Sequence, residues 1–344
     1  VVFFFSVNSV GNKLREKRYN MPKEITHWIL AEKVYRHLDD ASPLKKIIVS
    51  HKNLYMAGAV IADTPFYSGV YEKSGGVTEQ SGQKFHDNPL NSYEPLTRVV
   101  AHYAPEIPED VLSLLLGIVS HIHADSSFHP LVYYLSGFNT PDKKKKASTI
   151  HHTLEAFLDI YYIERFQLQN KGFFSEVLNN IEMEERRFMS ILSHLFSIEQ
   201  TRIKKAVKIH SLIQKRFDEN IVKILLRLLN AIPGADLEFY LSSFYPLRRP
   251  ESDSMFRYPF YYRHPVTGEE FRHSVKDLEK KMIQETLKVF GFIESGMEKN
   301  AVAEAFFQLK GPNLYTGMVG AGKAEMRYFS VKKDIKKLIL QGKI

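Results

Sequence analysis

His121 and Asp125 stand four residues apart, His129 follows four further on, and His151 and Glu155 repeat the spacing downstream. On a helix, residues i and i+4 share a face with about 6 Å of rise between them. Each pair therefore aims two donor atoms at one point. Imidazole nitrogen and carboxylate oxygen are donors that zinc accepts, and the chain has no cysteine to offer thiolate. One histidine on an apolar helix face is usually a hydrogen-bonded core residue. Three histidines with two carboxylates inside otherwise apolar helices are not filler, because burying an unpaired carboxylate costs too much. The stretch from Gly117 to Asp159 thus reads as a metal-binding core. His123, two positions from His121, faces away, and His152 lies off the His151–Glu155 face.

The same spacing implies more than one ion. A four-residue step overshoots a full turn by about 40°, so His121, Asp125 and His129 fan across a face. Asp125, in the middle, has two oxygens and can bridge neighbouring ions. Pro130 disfavours the α region for the residue before it. The helix is therefore expected to loosen around Ser127 to His129, turning His129 toward a different ion from His121.

The elements that must hold these residues are helical. Helical periodicity dominates and no strand-type alternation stands out, so an all-α, compact multi-helix bundle with a buried metal site is expected. PKEITHWILAEKVYRHL is an amphipathic helix with His27 near its start. Further helices are expected at roughly Pro43 to Tyr55, after Pro105 to Ile107 (the long apolar helix carrying His121), near Glu176 to Ser197, over Ile203 to Ile232, over Ser274 to Ser295, and briefly from Asn300. Asp63 follows an apolar run and precedes Thr64 and Pro65, at an element's end. SGGVTEQSGQ reads as a glycine-rich loop leading to His86 and Asp87, Pro233 to Pro265 as a proline- and aromatic-rich loop, and Lys143 to Lys146 as a solvated loop tip.

With 344 residues and 44% hydrophobic composition the chain can bury a large core. No apolar run reaches the ~20 residues that span a bilayer. No 20–50-residue repeat is visible, and the absence of cysteine excludes disulfides and thiolate sites. The net charge of +8 suits phosphate-rich substrates or anionic surfaces. VVFFFSVNSVGNKLREKRYN places apolar before basic residues, the reverse of a signal peptide. Residues 1–20 are therefore expected to be a flexible N-terminal extension and the protein cytoplasmic. Residues 21–344 are expected to form one domain, with the metal core in 21–165 and a helical C-terminal part in 166–344.

Taken in order, THW, GAVIADTPFY, FHD, GIVSHIHADSSFHP and HHTLEAFLD resemble the zinc-dependent phospholipase C family, and within it the bacterial branch that lacks a secretion signal. RHPVTGEEFRHSVKDL resembles the less specific C-terminal part of such proteins. The resemblance implies that His86, His121 and Asp125 hold one zinc ion and that His129, His151 and Glu155 hold a second. In secreted relatives the residue matching His27 joins the one matching Asp125 and a processed N-terminus at a third, so two or three ions are implied. Asp63 matches an acidic residue beside the metals, a ligand or general base, although Ala62 stands where proline is expected. The implied reaction is in-line attack of a metal-activated water on a phosphodiester, with Asp63 orienting or deprotonating the water. For a phospholipid the leaving group is diacylglycerol, and transient contact with a membrane surface follows. Phe66 and Tyr67 are candidates to line a lipid or head-group pocket, against the plainer reading of core aromatics. Three alternatives stay open. Zinc-dependent single-strand nucleases share the fold and would take nucleic acid. A His-Asp phosphohydrolase would use His86 and Asp87 but leave His121 to Glu155 unexplained. A non-catalytic helical protein would hold structural zinc.

Overall fold

The computed structural model describes residues 24–72, 75–137, 144–166, 174–217, 219–232, 234–235, 237–246, 256 and 258–330. The expected N-terminal extension, residues 1–20, lies outside them. In chain order the helices are α1 (Glu24–His37), α2 (Pro43–Ser50), α3 (Lys52–Ile61), a 3-10 turn (Thr64–Val70), α4 (Val77–His86), α5 (Glu94–Tyr103), α6 (Glu109–Ser136), α7 (Lys144–Arg165), α8 (Phe174–Asn179), α9 (Glu185–Phe196), α10 (Gln200–Gln214), α11 (Asn220–Asn230) and α12 (Glu238–Ser242). A hairpin of β1 (Phe260–Arg263) and β2 (Glu270–His273) precedes α13 (Val275–Glu298) and α14 (Val302–Gln308). The fold is all-α apart from that antiparallel pair, in which Phe260 faces His273.

α6 is the axis of the fold. Pro108 precedes it, Glu109 and Asp110 occupy its first turn, and acids there complement the positive end of the helix dipole. It is buried almost from end to end, with α3, α7, α13 and α1 packed around it. Among the described residues it is the one helix long and apolar enough, by length and composition, to cross a membrane, and its apolar window is wholly buried within the protein. It also runs unbroken through Pro130, contrary to the expected loosening at Ser127 to His129. Pro130 donates no amide hydrogen to the carbonyl four residues back. That carbonyl, on Ser126, is met by Gly317, whose φ of +69° and missing side chain allow the approach; a Cβ there would lie 2.4 Å from the oxygen.

α3 crosses α6 at two facing glycines. A Cβ on Gly58 would lie 2.2 Å from the Leu114 carbonyl, and one on Gly117 would lie 2.0 Å from the Tyr55 carbonyl. The contact sets how close Ala59 comes to His121. Gly117→Ala must force the two backbones apart, and overpacking of this kind costs about 1–3 kcal/mol. The expected result is a lower melting temperature together with weaker zinc retention, read by thermal unfolding and metal analysis.

Several boundaries differ from the sequence reading. The segment expected from Pro43 to Tyr55 is two helices parted at His51; Ser42 caps the start of α2 by accepting from the Lys45 amide. The glycine-rich stretch expected as a loop is helical from Val77, with Gly76 as its N-cap; Gly82 is kept because α4 presses there on Pro65 and Phe66. The two long helices expected over 176–197 and 203–232 are each broken, the second between α10 and α11. The loop expected over 233–265 holds α12 and β1, and α13 opens with a Ser274–Asp277 capping box.

Candidate metal centre

Three histidines are held by their Nδ1 atoms. His121 Nδ1 lies 2.9 Å from the Ala59 carbonyl, brought there by the glycine crossing. His86 Nδ1 lies 2.9 Å from the Gly82 carbonyl of its own helix, and His129 Nδ1 lies 3.0 Å from the Leu314 carbonyl. A carbonyl only accepts, so each Nδ1 donates, and in the neutral ring that leaves Nε2 as a bare lone pair. A backbone acceptor behind the ring is the usual support of a metal-binding histidine.

Those lone pairs face carboxylate oxygens. His121 Nε2 is 3.3 Å from Asp125 Oδ2 and 3.7 Å from Asp63 Oδ1. His86 Nε2 is 3.0 Å from Asp63 Oδ1 and 3.6 Å from Asp125 Oδ2. His129 Nε2 is 3.5 Å from Glu155 Oε1, and His151 Nε2 is 2.8 Å from the same oxygen. His121 Nε2, Asp125 Oδ2 and Glu155 Oε2 are buried without a hydrogen-bond partner. Acceptors facing acceptors repel unless a cation lies between them. A tetrahedral zinc ion with bonds of about 2.0–2.2 Å has edges of about 3.3–3.6 Å between its ligands, close to the spacings above. The donors fall into two buried groups: Asp63, His86, His121 and Asp125, and His129, His151 and Glu155. The residues fit zinc.

The electrostatics of the metal-free protein agree. Burial depresses the His121 pKa, but Asp63 and Asp125 outweigh it and raise it to about 9. Burial would raise the Asp125 carboxyl, yet His129 and His121 hold it below the usual carboxylate range. Burial likewise opposes ionisation of Glu155, and His151 and His129 bring it well below its ordinary value. His27, pushed to about 4 by burial and by His121, stays neutral. The carboxylates are thus charged, and in the metal-free protein a protonated His121 supplies part of the positive charge that zinc would bring.

A family model described as zinc dependent phospholipase C matches residues 26–229, more than half of the chain. The chain belongs to the zinc-dependent phospholipase C family. Comparison with curated proteins and with solved structures finds no match. Every residue from His27 to Glu155 singled out in the sequence lies inside the stretch matched by the phospholipase C family model.

In this phospholipase C family member the remaining candidates take separate places. His27 stands beside Asp125, with Nε2 3.4 Å from Oδ1 and its ring stacked on His121 at 4.3 Å, but it belongs to neither group of three or more donors. Asp63 caps the 3-10 turn at the end of α3 and joins the first group. Phe66 is buried with its ring 4.9 Å from that of His86. Tyr67 is fully buried, donates to Glu24 and stacks on His210 at 4.0 Å. His123 turns to the Tyr93 hydroxyl at 2.6 Å, and His152 lies 3.6 Å from Glu155 Oε2.

Three supports were invisible in the sequence. Asp159, four residues beyond Glu155, accepts from the Thr26 amide and hydroxyl at 2.8 and 2.6 Å, pinning α1 to α7 beside His27. His210, on α10, bridges Thr64 Oγ1 and Glu24 Oε1 at 2.9 Å each, bracing the turn that carries Asp63. The segment after α14 folds back over the centre: Leu314 supports His129, the Leu314 amide donates to the His86 carbonyl at 3.1 Å, and Tyr315 packs 5.8 Å from His129. That segment lies beyond the family match. No pattern in NLYTGMV marks it, because what it contributes is mainly backbone.

Proposed function

We propose that this protein is a zinc-dependent phosphodiesterase that hydrolyses the head-group phosphodiester of a phospholipid, as a phospholipase C does. The observation that carries the reading is the set of bare imidazole nitrogens facing carboxylates in two neighbouring groups joined through α6. His86, His121 and Asp125 would hold one ion, with Asp63 beside it, and His129, His151 and Glu155 a second. Three protein donors, as in the second group, are the mark of catalytic rather than structural zinc, since they leave a position for water or substrate. His27 with Asp125 would offer two donors to a third ion.

Bound zinc would neutralise the phosphodiester's charge and make a water molecule acidic near neutral pH. Asp63 would orient that water and accept its proton. The water oxygen then bonds to phosphorus, the bond from phosphorus to the alcohol oxygen breaks, and diacylglycerol leaves with a proton. The small cavity at the centre is lined by Leu30, Phe128, Val132 and Leu158 as well as by His27, Asp125, His129 and Glu155.

The test is turnover of phosphatidylcholine, of a chromogenic phosphodiester and of single-stranded DNA by the zinc-loaded protein. Hydrolysis of the lipid is expected, ended by chelation and restored by zinc. Preference for DNA would favour the nuclease alternative, which the net charge of +8 also suits. Loss of all three activities would leave a zinc-binding structural protein. Zinc should also raise the melting temperature, because a ligand that binds only the folded state at a thousandfold excess over its Kd adds about 4 kcal/mol.

A further inference from the structure

α11 is amphipathic the wrong way round for a helix covered only by water. Ile221, Ile224, Leu225, Leu228 and Leu229 are all exposed, Ile221 by 74% and Leu228 by 63%, and Ile232 just beyond continues the stripe. On a helix of 3.6 residues per turn these positions fall on one side. The only buried side chain of α11 is a lysine, Lys223. A surface helix ordinarily turns its apolar stripe to the core, so this arrangement calls for an apolar medium outside the protein.

The charge nearby says which medium. From Gln200 to Asn230 the chain carries eight lysines and arginines against Asp218 and Glu219. Lys223 and Arg227, away from the apolar stripe, line a cavity of about 210 Å³ between α11, α12 and α7, with Thr153, Asn230 and Ser242. Glu238 is the one acid on its lining. An exposed apolar stripe on a basic stretch of chain is the signature of a helix lying in the plane of an anionic membrane, its stripe at the acyl boundary and the exposed cations of that stretch drawn to the phosphates.

We infer that α11 docks the protein on an anionic phospholipid bilayer through its apolar stripe. The inference rests on the phospholipase reading above for its purpose: an enzyme that draws a lipid from a bilayer gains from staying on it. α11 carries none of the metal donors.

The experiment is flotation of the zinc-loaded full chain with vesicles of phosphatidylcholine and phosphatidylglycerol in a 3:1 ratio, beside turnover of a soluble chromogenic phosphodiester. The wild type is expected to float, and less so as salt screens the charge. Leu225→Asp combined with Leu228→Asp is expected to cut flotation by at least about tenfold while keeping helicity, melting temperature and soluble turnover. Flotation of the leucine variant equal to wild type, or a wild type that does not float, overturns the proposal. So does a wild-type dimer that the leucine variant makes monomeric. If the wild type floats but cleaves no phosphodiester, docking stands and the catalytic reading falls; if it cleaves soluble substrate without floating, the reverse holds.

Discussion

Asp63→Asn lowers turnover of a soluble phosphodiester by about 10²–10⁴-fold, the contribution of a positioned general base, while the protein keeps its full complement of zinc. That loss corresponds to about 3–5 kcal/mol of transition-state stabilisation. The asparagine is nearly isosteric, and its amide oxygen can take the place of the carboxylate oxygen that now faces His86 Nε2 at 3.0 Å, leaving that nitrogen to the ion. His86, His121 and Asp125 remain as donors in the first group, and the second group is untouched. The Thr64–His210–Glu24 bridge behind the turn holds the backbone in place. Metal analysis and steady-state kinetics on one preparation decide it. Turnover within threefold of wild type at full zinc content would remove Asp63 from the proton transfer, and loss of zinc in parallel with activity would make it a ligand only.

Asp125→Asn acts differently, on the metal itself. Asp125 is the carboxylate nearest to most of the centre: its oxygens lie 3.4 Å from His27, 3.3 Å from His121, 3.6 Å from His86 and 3.7 Å from His129. Neutralising it leaves the first group with one carboxylate, Asp63, to offset the charge of a dication in a buried site. Losing even an outer partner of a metal ligand costs about 10–100-fold in affinity, so losing a direct ligand of the first group should cost at least about 100-fold. Zinc titration by calorimetry measures this directly. The metal-free variant should fold as the wild type does, since an amide can replace one lone pair with a donor. An affinity unchanged within threefold would mean that Asp125 supports the histidines without touching the ion.

The donors themselves were legible in the chain. His121 with Asp125 and His151 with Glu155 declare themselves by i, i+4 spacing inside apolar helices, and the price of burying carboxylates unpaired makes a cation the economical reading. Helical periodicity likewise carried the all-α class, because it depends only on residues close in sequence. Spacing could not say how the two helices meet, since that is set by contacts distant in the chain. The facing of Gly58 and Gly117 puts the Ala59 carbonyl behind His121. Gly317 packs on the Ser126 carbonyl where α6 runs on through Pro130, although local preference alone predicted a loosening there. The Leu314 carbonyl orients His129 from 185 residues away. The Ala59 and Leu314 carbonyls are backbone atoms, present at every position, so no residue type announces them. The outward turn of α11 has the same origin: its apolar stripe is written in the sequence, but only packing decides which side of a helix meets the core and which is left to something else.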